Sequence, residues 1–331
     1  VLSAVEHLVS RAYQEGCSIL KRKKRAIQNA LRTIVFMIDS RTILAKTWVI
    51  ICAAISCHLY ANSAIDQVRP PWGYVFKDWH GPPLDIITYI PPGATKDTPV
   101  LMVVPGASRD AQRFHASWLD IAKRKHFSVL TIGASKKYFP DEYSYNAGGV
   151  ISSDSETIEE KLWLFSAIEP IFLDFKSRYG FRAEKFYLFG HSAGGGFVHR
   201  YLLFTPSAPV FKAVAANPAF VTLPDKKVEY PFGIGSVPIN EQNLVNWFDA
   251  SMAIVLGEND IGPRTKPLSN GIQANLQGPN CLSRGKLLYK EAKSAATAIG
   301  SHFSWELLII PGVGHDNYNL AEPSSVYLFG E

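Results

Sequence analysis

The sequence predicts an α/β fold in which a mostly parallel central sheet is covered by helices on both faces. Short apolar runs that suit buried strands alternate along the chain with longer segments of helical periodicity, a pattern typical of a parallel sheet. A Gly-x-Ser-x-Gly motif, residues 190–194, lies between one such run and a helical segment. With 331 residues, of which 47% are hydrophobic and 19% charged, the chain is long enough to bury a sizeable core.

The predicted strands are short runs of apolar residues. Leu84 to Ile90 alternates and is β-branched, whereas Val100 to Val104 is apolar throughout, as expected for a strand that is covered on both faces. Because residues 67–83 and 91–98 are rich in Pro and Gly, the first is expected to be irregular and the second to form a turn. The remaining predicted strands are Phe127 to Ile132, Phe186 to Phe189, Phe211 to Ala216, Met252 to Leu256 and Trp305 to Ile310.

Helices are predicted where apolar residues recur at intervals of three and four. The second helix is expected to begin at a capping box formed by Ser153 and Glu156 and to end near Arg178. The other predicted helices are Asp110 to Lys125, Phe197 to Phe204, Gly285 to Ile299 and one in the sixteen residues that follow His315.

Two long segments fit neither period. Residues 135–153 form an excursion that is rich in aromatic side chains, and residues 217–250, which hold several Pro and Gly, predict a short cap or long loop. We expect both segments to line a pocket. The aromatic residues of the excursion are Tyr138, Phe139, Tyr143 and Tyr145.

Residues 37–64 have the layout of a secretory signal peptide. Basic residues come first, the apolar stretch Thr47 to Ser56 follows, and Ala61 to Ala64 supplies small residues that suit a signal peptidase. The apolar stretch is too short for a comfortable transmembrane helix. The segment therefore predicts a protein that is secreted or periplasmic.

Other interpretations of the N-terminal part stay open. Residues 1–36, which hold the basic run Lys21 to Arg25, are interpreted as a leader or an over-extended reading frame, and residues 65–331 as the folded domain. Ala54 to Cys57 resembles a bacterial lipobox, which would put a lipid on Cys57. An uncleaved signal anchor and an ordinary amphipathic helix of a cytosolic protein are the remaining alternatives.

The distribution of charge argues against a nucleic-acid partner. The formal net charge is +5, but residues 65–331 hold 25 basic and 26 acidic residues, so the body of the protein presents no basic excess. Cys281 is the single cysteine of that part, so no internal disulfide is expected there. No Cys/His spacing suggests zinc, and the sequence indicates no cofactor or metal.

The motif Gly190 to Gly194 predicts a nucleophilic serine, Ser192. A strand, a sharp turn and a helix hold such a hydroxyl clear of the sheet, and the glycines avoid clashes with neighbouring backbone. Because serine is a poor nucleophile at its own pKa, it needs a base, and the base needs an orienting acid.

Both partners are expected after later strands, in the order acid then base. Asp260 follows the strand Met252 to Leu256 and lies far enough into its loop to turn back over the sheet. Glu258 is the second choice for the acid. His315 follows the last strand in a glycine-flanked loop, where the base belongs.

Three other histidines fit the role of base less well. His302 precedes the last strand and so lies at the wrong end of it. His191 and His199 flank the nucleophile, and we interpret them as packing or supporting residues.

The oxyanion of the acyl-transfer step needs two amide donors. One is expected to be the amide of Ala193, at a helix N-terminus where the helix dipole also favours negative charge. The other is expected from the loop Pro105 to Ser108. Ala107 is our choice, since it follows the glycine that lets the backbone turn inward.

These pieces together resemble the α/β-hydrolase superfamily over about residues 84–330 and, within it, the poly(3-hydroxybutyrate) depolymerase-like and related esterases. The resemblance implies the α/β-hydrolase fold, with a short cap or long loop after the sixth strand. It also implies a secreted or periplasmic serine hydrolase that acts on esters, with Ser192, Asp260 and His315 as nucleophile, acid and base. The motifs that carry the resemblance are Gly190 to Gly195 followed by Phe197 to Arg200, Gly257 to Asp260, and Pro311 to Asp316.

The chain departs from the family pattern at one point near the site. Many members have His-Gly before the second oxyanion donor, where this chain has Pro105-Gly106. We expect no polymer-binding domain after the catalytic part, and therefore expect a small soluble ester to be as suitable a substrate as a polymer.

The sequence therefore predicts a serine esterase with a Ser-His-Asp triad. A peptidase or amidase with the same triad is the second hypothesis, and a non-catalytic binding protein on a hydrolase scaffold is the third. The expected partner is a small or polymeric ester, with membrane contact only through a signal anchor or a lipid on Cys57.

Overall fold

A computed structural model describes residues 72–262 and 271–331. The predicted leader or over-extended N-terminus (1–36), the predicted signal peptide (37–64) and Cys57 lie outside the described residues and stay predictions. No helix within 72–262 or 271–331 combines the length and the apolar character that crossing a membrane requires.

Within the described residues, eight strands form one sheet, in the order β1-β2-β4-β3-β5-β6-β7-β8. Only β2 runs against the other seven, so the sheet is mostly parallel, as predicted. Parallel strands put their carboxyl ends at one edge of the sheet, which is where ligands bind in such folds. The strands are β1 (Trp72–Phe76), β2 (Leu84–Tyr89), β3 (Val100–Val104), β4 (Ser128–Gly133), β5 (Phe186–His191), β6 (Val210–Ala216), β7 (Met252–Gly257) and β8 (Glu306–Ile310).

Helices cover both faces of this sheet and bury two separate cores. Met102 belongs to one core and Leu101 and Val103 to the other, because successive residues of a strand point to opposite faces. Helices α1 and α7 pack on one face, and α2, α3, α4 and α6 pack on the other. The described α-helices are α1 (Ala111–Lys125), α2 (Ile168–Tyr179), α3 (Ala193–Phe204), α4 (Glu241–Asp249), α5 (Ile272–Leu276), α6 (Cys281–Ala298) and α7 (Asn317–Phe329).

The predicted fold class is confirmed, including the segment after the sixth strand. Residues 217–250 leave β6 as a long loop that carries only one described α-helix, α4. A capping box of Asn240 and Asn243 starts that helix.

The prediction of one long helix from Ser153 to about Arg178 is wrong. Ser152 accepts hydrogen bonds from the amides of Asp154 and Glu156, which closes a tight turn instead of a helix. Two short 3₁₀ segments follow, and α2 begins only at Ile168. Pro170 explains the late start, because proline is tolerated in the first turn of a helix but breaks its interior.

The predicted irregular segment at 67–83 contains a regular element, β1. This strand pairs with β2 in antiparallel register and forms one edge of the sheet. Tyr74, Val75 and Phe76 supply the β-favouring side chains, whereas the flanking Pro and Gly dominate the composition of the segment.

Candidate active site

The turn between β5 and α3 puts Ser192 into a backbone conformation that few residues adopt. Its φ of 60° lies in the left-handed region, and its amide donates to the carbonyl of Ala216 at 2.9 Å. A Cβ on Gly190 would lie 2.1 Å from the carbonyl oxygen of Gly194, and a Cβ on Gly194 equally close to that of Val104. The two glycines of the motif are therefore required by close backbone approach, and the Ser192 side chain is left partly exposed.

His315 and Asp260 meet although 55 residues separate them in the chain. The Nδ1 atom of His315 lies 2.6 Å from Oδ2 of Asp260. The carboxylate side chain is 1% exposed and the imidazole 27% exposed. In a neutral imidazole this contact makes Nδ1 the protonated nitrogen, so Nε2 is left as a proton acceptor.

Glu258, the second choice for the acid, does not contact His315 in this way. Its exposed carboxylate accepts a hydrogen bond from the amide of Gly312 at 3.0 Å. It thereby ties the loop after β7 to the loop after β8. Of the two carboxylates, Asp260 is the one that has the geometry of an orienting acid.

His191 packs against the imidazole of His315. The two rings have centroids 4.5 Å apart, and His191 itself is 3% exposed. Since His191 immediately precedes Ser192 in the chain, this contact brings the loop of His315 to the nucleophile turn. The position fits the predicted packing role.

His199 and His302 also lie as the sequence predicted. His199 is fully buried, and its Nε2 accepts from the amide of Thr222 at 3.1 Å while Nδ1 lies 3.0 Å from the carbonyl of Gly195. Burial, and the neighbouring charge of Arg200, hold the pKa of His199 well below its ordinary value. His302 is exposed at the amino end of β8, next to Asp249.

Asn217, which the sequence analysis missed, joins the loops that carry the acid and the base. Its Nδ2 donates to the carbonyl of Gly314 at 3.1 Å, and its Oδ1 accepts from the amide of Gly257 at 2.8 Å. Its φ of 41° is unusual for a residue with a side chain, but asparagine tolerates this region better than most. A buried polar residue at the carboxyl end of the strand Phe211 to Ala216 was the signal that could have found it.

The predicted oxyanion donors belong to two segments next to Ser192, the start of α3 and the loop of residues 105–108. Ala193 is the first residue of α3, where the amides have no partner within the helix. A Cβ on Gly106 would lie 3.4 Å from Cβ of Ser192, so the loop of residues 105–108 runs directly beside the nucleophile. Ala107 is an exposed residue of that loop.

Two of the aromatic residues expected to line a pocket are buried instead. Phe139 is 4% exposed and Tyr145 is 1% exposed, so both belong to the core beneath the site. Tyr138 is exposed and Tyr143 is half-buried. One surface pocket, of about 640 Å³, lies beside Ser108.

One group of side chains in the described part of the chain has the composition of a metal site. Asp260, Cys281 and His315 each offer one ligand atom, and these three atoms lie within 4.8 Å of one another. A tetrahedral zinc ion would hold nitrogen and oxygen ligands roughly 3.3 Å apart, given its bond lengths. The 2.6 Å contact between His315 and Asp260 is instead that of a hydrogen bond.

The solved structures that resemble this chain include two proteins that are 31% identical to it. Poly(aspartic acid) hydrolase-1 from Sphingomonas sp. KT-1 matches with a TM-score of 0.76 over 78% of this chain and 98% of that one. The poly(3-hydroxybutyrate) depolymerase LpqC from Bordetella parapertussis matches with a TM-score of 0.71 over 75% of this chain and 85% of that one.

More distant structures share the fold alone. The siderophore hydrolase EstB from Aspergillus nidulans is 14% identical, with a TM-score of 0.52 over 80% of this chain and 97% of that one. No protein-family model matches the chain, and no curated protein sequence matches it.

Proposed function

Since the chain belongs to the α/β-hydrolase superfamily, in its group of esterases and poly(3-hydroxybutyrate) depolymerase-like proteins, we propose that it is a serine hydrolase that cleaves carboxylic esters. The single observation that carries the proposal is the buried contact between Asp260 and His315. That contact fixes one nitrogen of the imidazole, and Ser192, in a strained turn between a strand and a helix, is the serine that we propose the other nitrogen activates.

The reaction proceeds through an acyl-enzyme. His315 Nε2 takes the proton of the Ser192 hydroxyl while the serine oxygen bonds to the ester carbonyl carbon. The carbonyl oxygen becomes negatively charged and accepts hydrogen bonds from the amides of Ala193 and Ala107. When the tetrahedral intermediate collapses, the alcohol leaves with the proton that His315 held.

Water completes the cycle by the same route. His315 takes a proton from water, the hydroxyl oxygen attacks the acyl carbon, and the serine leaves with that proton. Asp260 stays ionised throughout and stabilises the imidazolium that forms in each half-reaction.

An ester is the substrate class that we propose, small or polymeric. A second class, the amide, is favoured by one specific observation: a protein 31% identical to this chain is a poly(aspartic acid) hydrolase. Matched ester and amide substrates with the same acyl group distinguish the two classes by their kcat/KM.

Labelling with a fluorophosphonate probe tests the proposal. The wild type is expected to be labelled, and the Ser192→Ala variant is expected to remain unlabelled. The matched control is Ser207→Ala, which removes an exposed serine just after α3 and is expected to label like the wild type. Circular dichroism and thermal unfolding verify that each protein is folded.

The outcome decides between an enzyme and a binding protein. Labelling that is lost only with Ser192 establishes an activated serine and leaves the ester-versus-amide question to the substrate panel. A folded wild type that takes up no label contradicts the assignment of the triad, and a non-catalytic binding protein then becomes the better hypothesis.

A further inference from the structure

We propose that Tyr145 is a positioning residue for catalysis, acting through the Pro105 carbonyl on the loop of residues 105–108, which we call the oxyanion loop. The inference rests on the proposed function, because it concerns the geometry of the second oxyanion donor. Tyr145 itself does not touch the substrate.

The hydroxyl of Tyr145 donates to the carbonyl of Pro105 at 2.6 Å. The ring is 1% exposed, and 40 residues separate the two partners in the chain. Burial raises the pKa of Tyr145 well above its ordinary value, so its hydroxyl stays protonated and remains a donor. Within the low dielectric of the core such a bond is stronger than it would be in water.

The Pro105 carbonyl is well placed to control the oxyanion loop. It shares one peptide plane with the amide of Gly106, and Ala107 is the next residue. A hydrogen bond that holds this carbonyl therefore fixes the peptide plane through which the chain enters Gly106, one residue before Ala107. A Cβ on Gly194 would lie 2.8 Å from the same carbonyl oxygen, so its position is also tied to the first turn of α3.

Arg109 holds the other end of the oxyanion loop against the same aromatic segment. Its guanidinium carbon lies 3.3 Å from the centroid of the Tyr145 ring. Its Nη2 donates to the carbonyls of Phe139 and Asp141 at 3.1 and 3.2 Å. Since Arg109 directly follows the loop, both ends of the loop are anchored to the segment of residues 139–145. Phe139 and Tyr145, the aromatic core residues of this segment, therefore do more than pack.

Tyr230 offers a matched control for Tyr145. It is also a buried tyrosine, 5% exposed, and its hydroxyl donates to the carbonyl of Ala147 at 2.6 Å. Its partner lies in the core and not in the oxyanion loop. Replacing either tyrosine by phenylalanine removes one hydroxyl and leaves one buried carbonyl without that donor.

The experiment compares Tyr145→Phe with Tyr230→Phe in the full-length chain. We expect Tyr145→Phe to lower kcat about tenfold at unchanged KM, a fraction of the effect of deleting an oxyanion donor outright. Affinity for a trifluoromethyl ketone that adds to Ser192 is expected to weaken by the same factor, because its oxyanion uses the same donors. Tyr230→Phe is expected to lower the urea midpoint as much as Tyr145→Phe does. It is expected to leave both kcat and the affinity for the trifluoromethyl ketone unchanged.

Equal kcat values for the two variants overturn the inference. A Tyr145→Phe variant in which KM changes and kcat does not also overturns it. If Tyr145→Phe does not fold, Arg109→Lys decides the matter, because it keeps the charge and loses the planar stacking on Tyr145. An unchanged kcat in that variant also overturns the inference. A wild type that neither cleaves esters nor takes up the fluorophosphonate label contradicts the proposed function instead, so the two failures are distinct.

Discussion

At the scale of single residues, Asp260 and Glu258 lie two positions apart and have different partners. Asp260 is buried against His315, whereas Glu258 is exposed and accepts from a backbone amide. Asp260→Asn is expected to lower kcat by roughly 10³ to 10⁴, because an amide at this position favours the wrong tautomer of the base. Glu258→Gln is expected to stay within about threefold of the wild type, since its backbone contact survives in part.

Steady-state kinetics on a soluble ester measures both variants. Their thermal unfolding midpoints show whether a loss of kcat reflects a loss of folded protein. A larger loss for Glu258→Gln than for Asp260→Asn would mean that the acid has been assigned to the wrong carboxylate.

Asn217 gives a second prediction at this scale. Asn217→Ala removes the two hydrogen bonds that join the loops of Asp260 and His315. We expect a loss of about 1–3 kcal/mol in the free energy of unfolding, because Gly257 and Gly314 keep unpaired backbone groups. We also expect a fall of about tenfold in kcat, because the acid and the base are then held less firmly.

The control for Asn217 is another asparagine whose side chain bonds to backbone. Asn240 caps α4 and accepts from the amide of Asn243, and Asn240→Ala is expected to destabilise the protein by about 1 kcal/mol with kcat unchanged. Urea unfolding and kcat are measured for both variants. Parallel losses of kcat in the two variants would show that Asn217 matters only for stability.

At the scale of elements, a buried histidine links helix α1 to strand β4. His115 is 2% exposed, and its Nδ1 lies 2.9 Å from Oγ1 of Thr131. Burial lowers the pKa of His115 from 6.5 to about 4. Between these two values the unfolded chain binds a proton that the folded chain does not, so stability falls as the pH drops from about 6.5 to about 4.

The expected loss from His115 over that range is roughly 3 kcal/mol. Urea unfolding at a series of pH values measures it, and His115→Asn, which keeps a polar atom near Thr131 without titrating, is expected to flatten the profile. His199, also held neutral by burial, preserves part of the acid sensitivity in that variant. The control is His80→Asn at an exposed histidine, and equal slopes for the two variants would exclude His115 as a cause.

At the scale of the whole molecule, the remaining prediction concerns where the protein goes. The layout of residues 37–64 predicts cleavage after the small residues near Ala64 and export to the periplasm or the medium. N-terminal sequencing of the protein purified from its host is expected to give a start near residue 65. A lipid on Cys57 would appear as added mass, and a cytosolic protein that begins at residue 1 would contradict the signal peptide.

Much of the fold was predictable because its signals are local. Each apolar run from Val100 to Val104 onward formed a strand of the sheet, since a continuous apolar run is stable only when both faces are covered. The prediction failed where local signals compete. Pro170 sets the start of α2 late, and a turn at Ser152 uses the amides that a helix cap would have used.

By itself, the sequence determined the fold class and the strained turn at Ser192. These depend on neighbours in the chain: a strand, glycines and a helix within about a dozen residues. Only the tertiary structure placed Asp260, and not Glu258, against His315, revealed Asn217 and moved Tyr145 from the expected pocket into the core beside the oxyanion loop. The physical reason is that these contacts join residues 40 to 97 positions apart, and the packing of the sheet, not local propensity, brings them together.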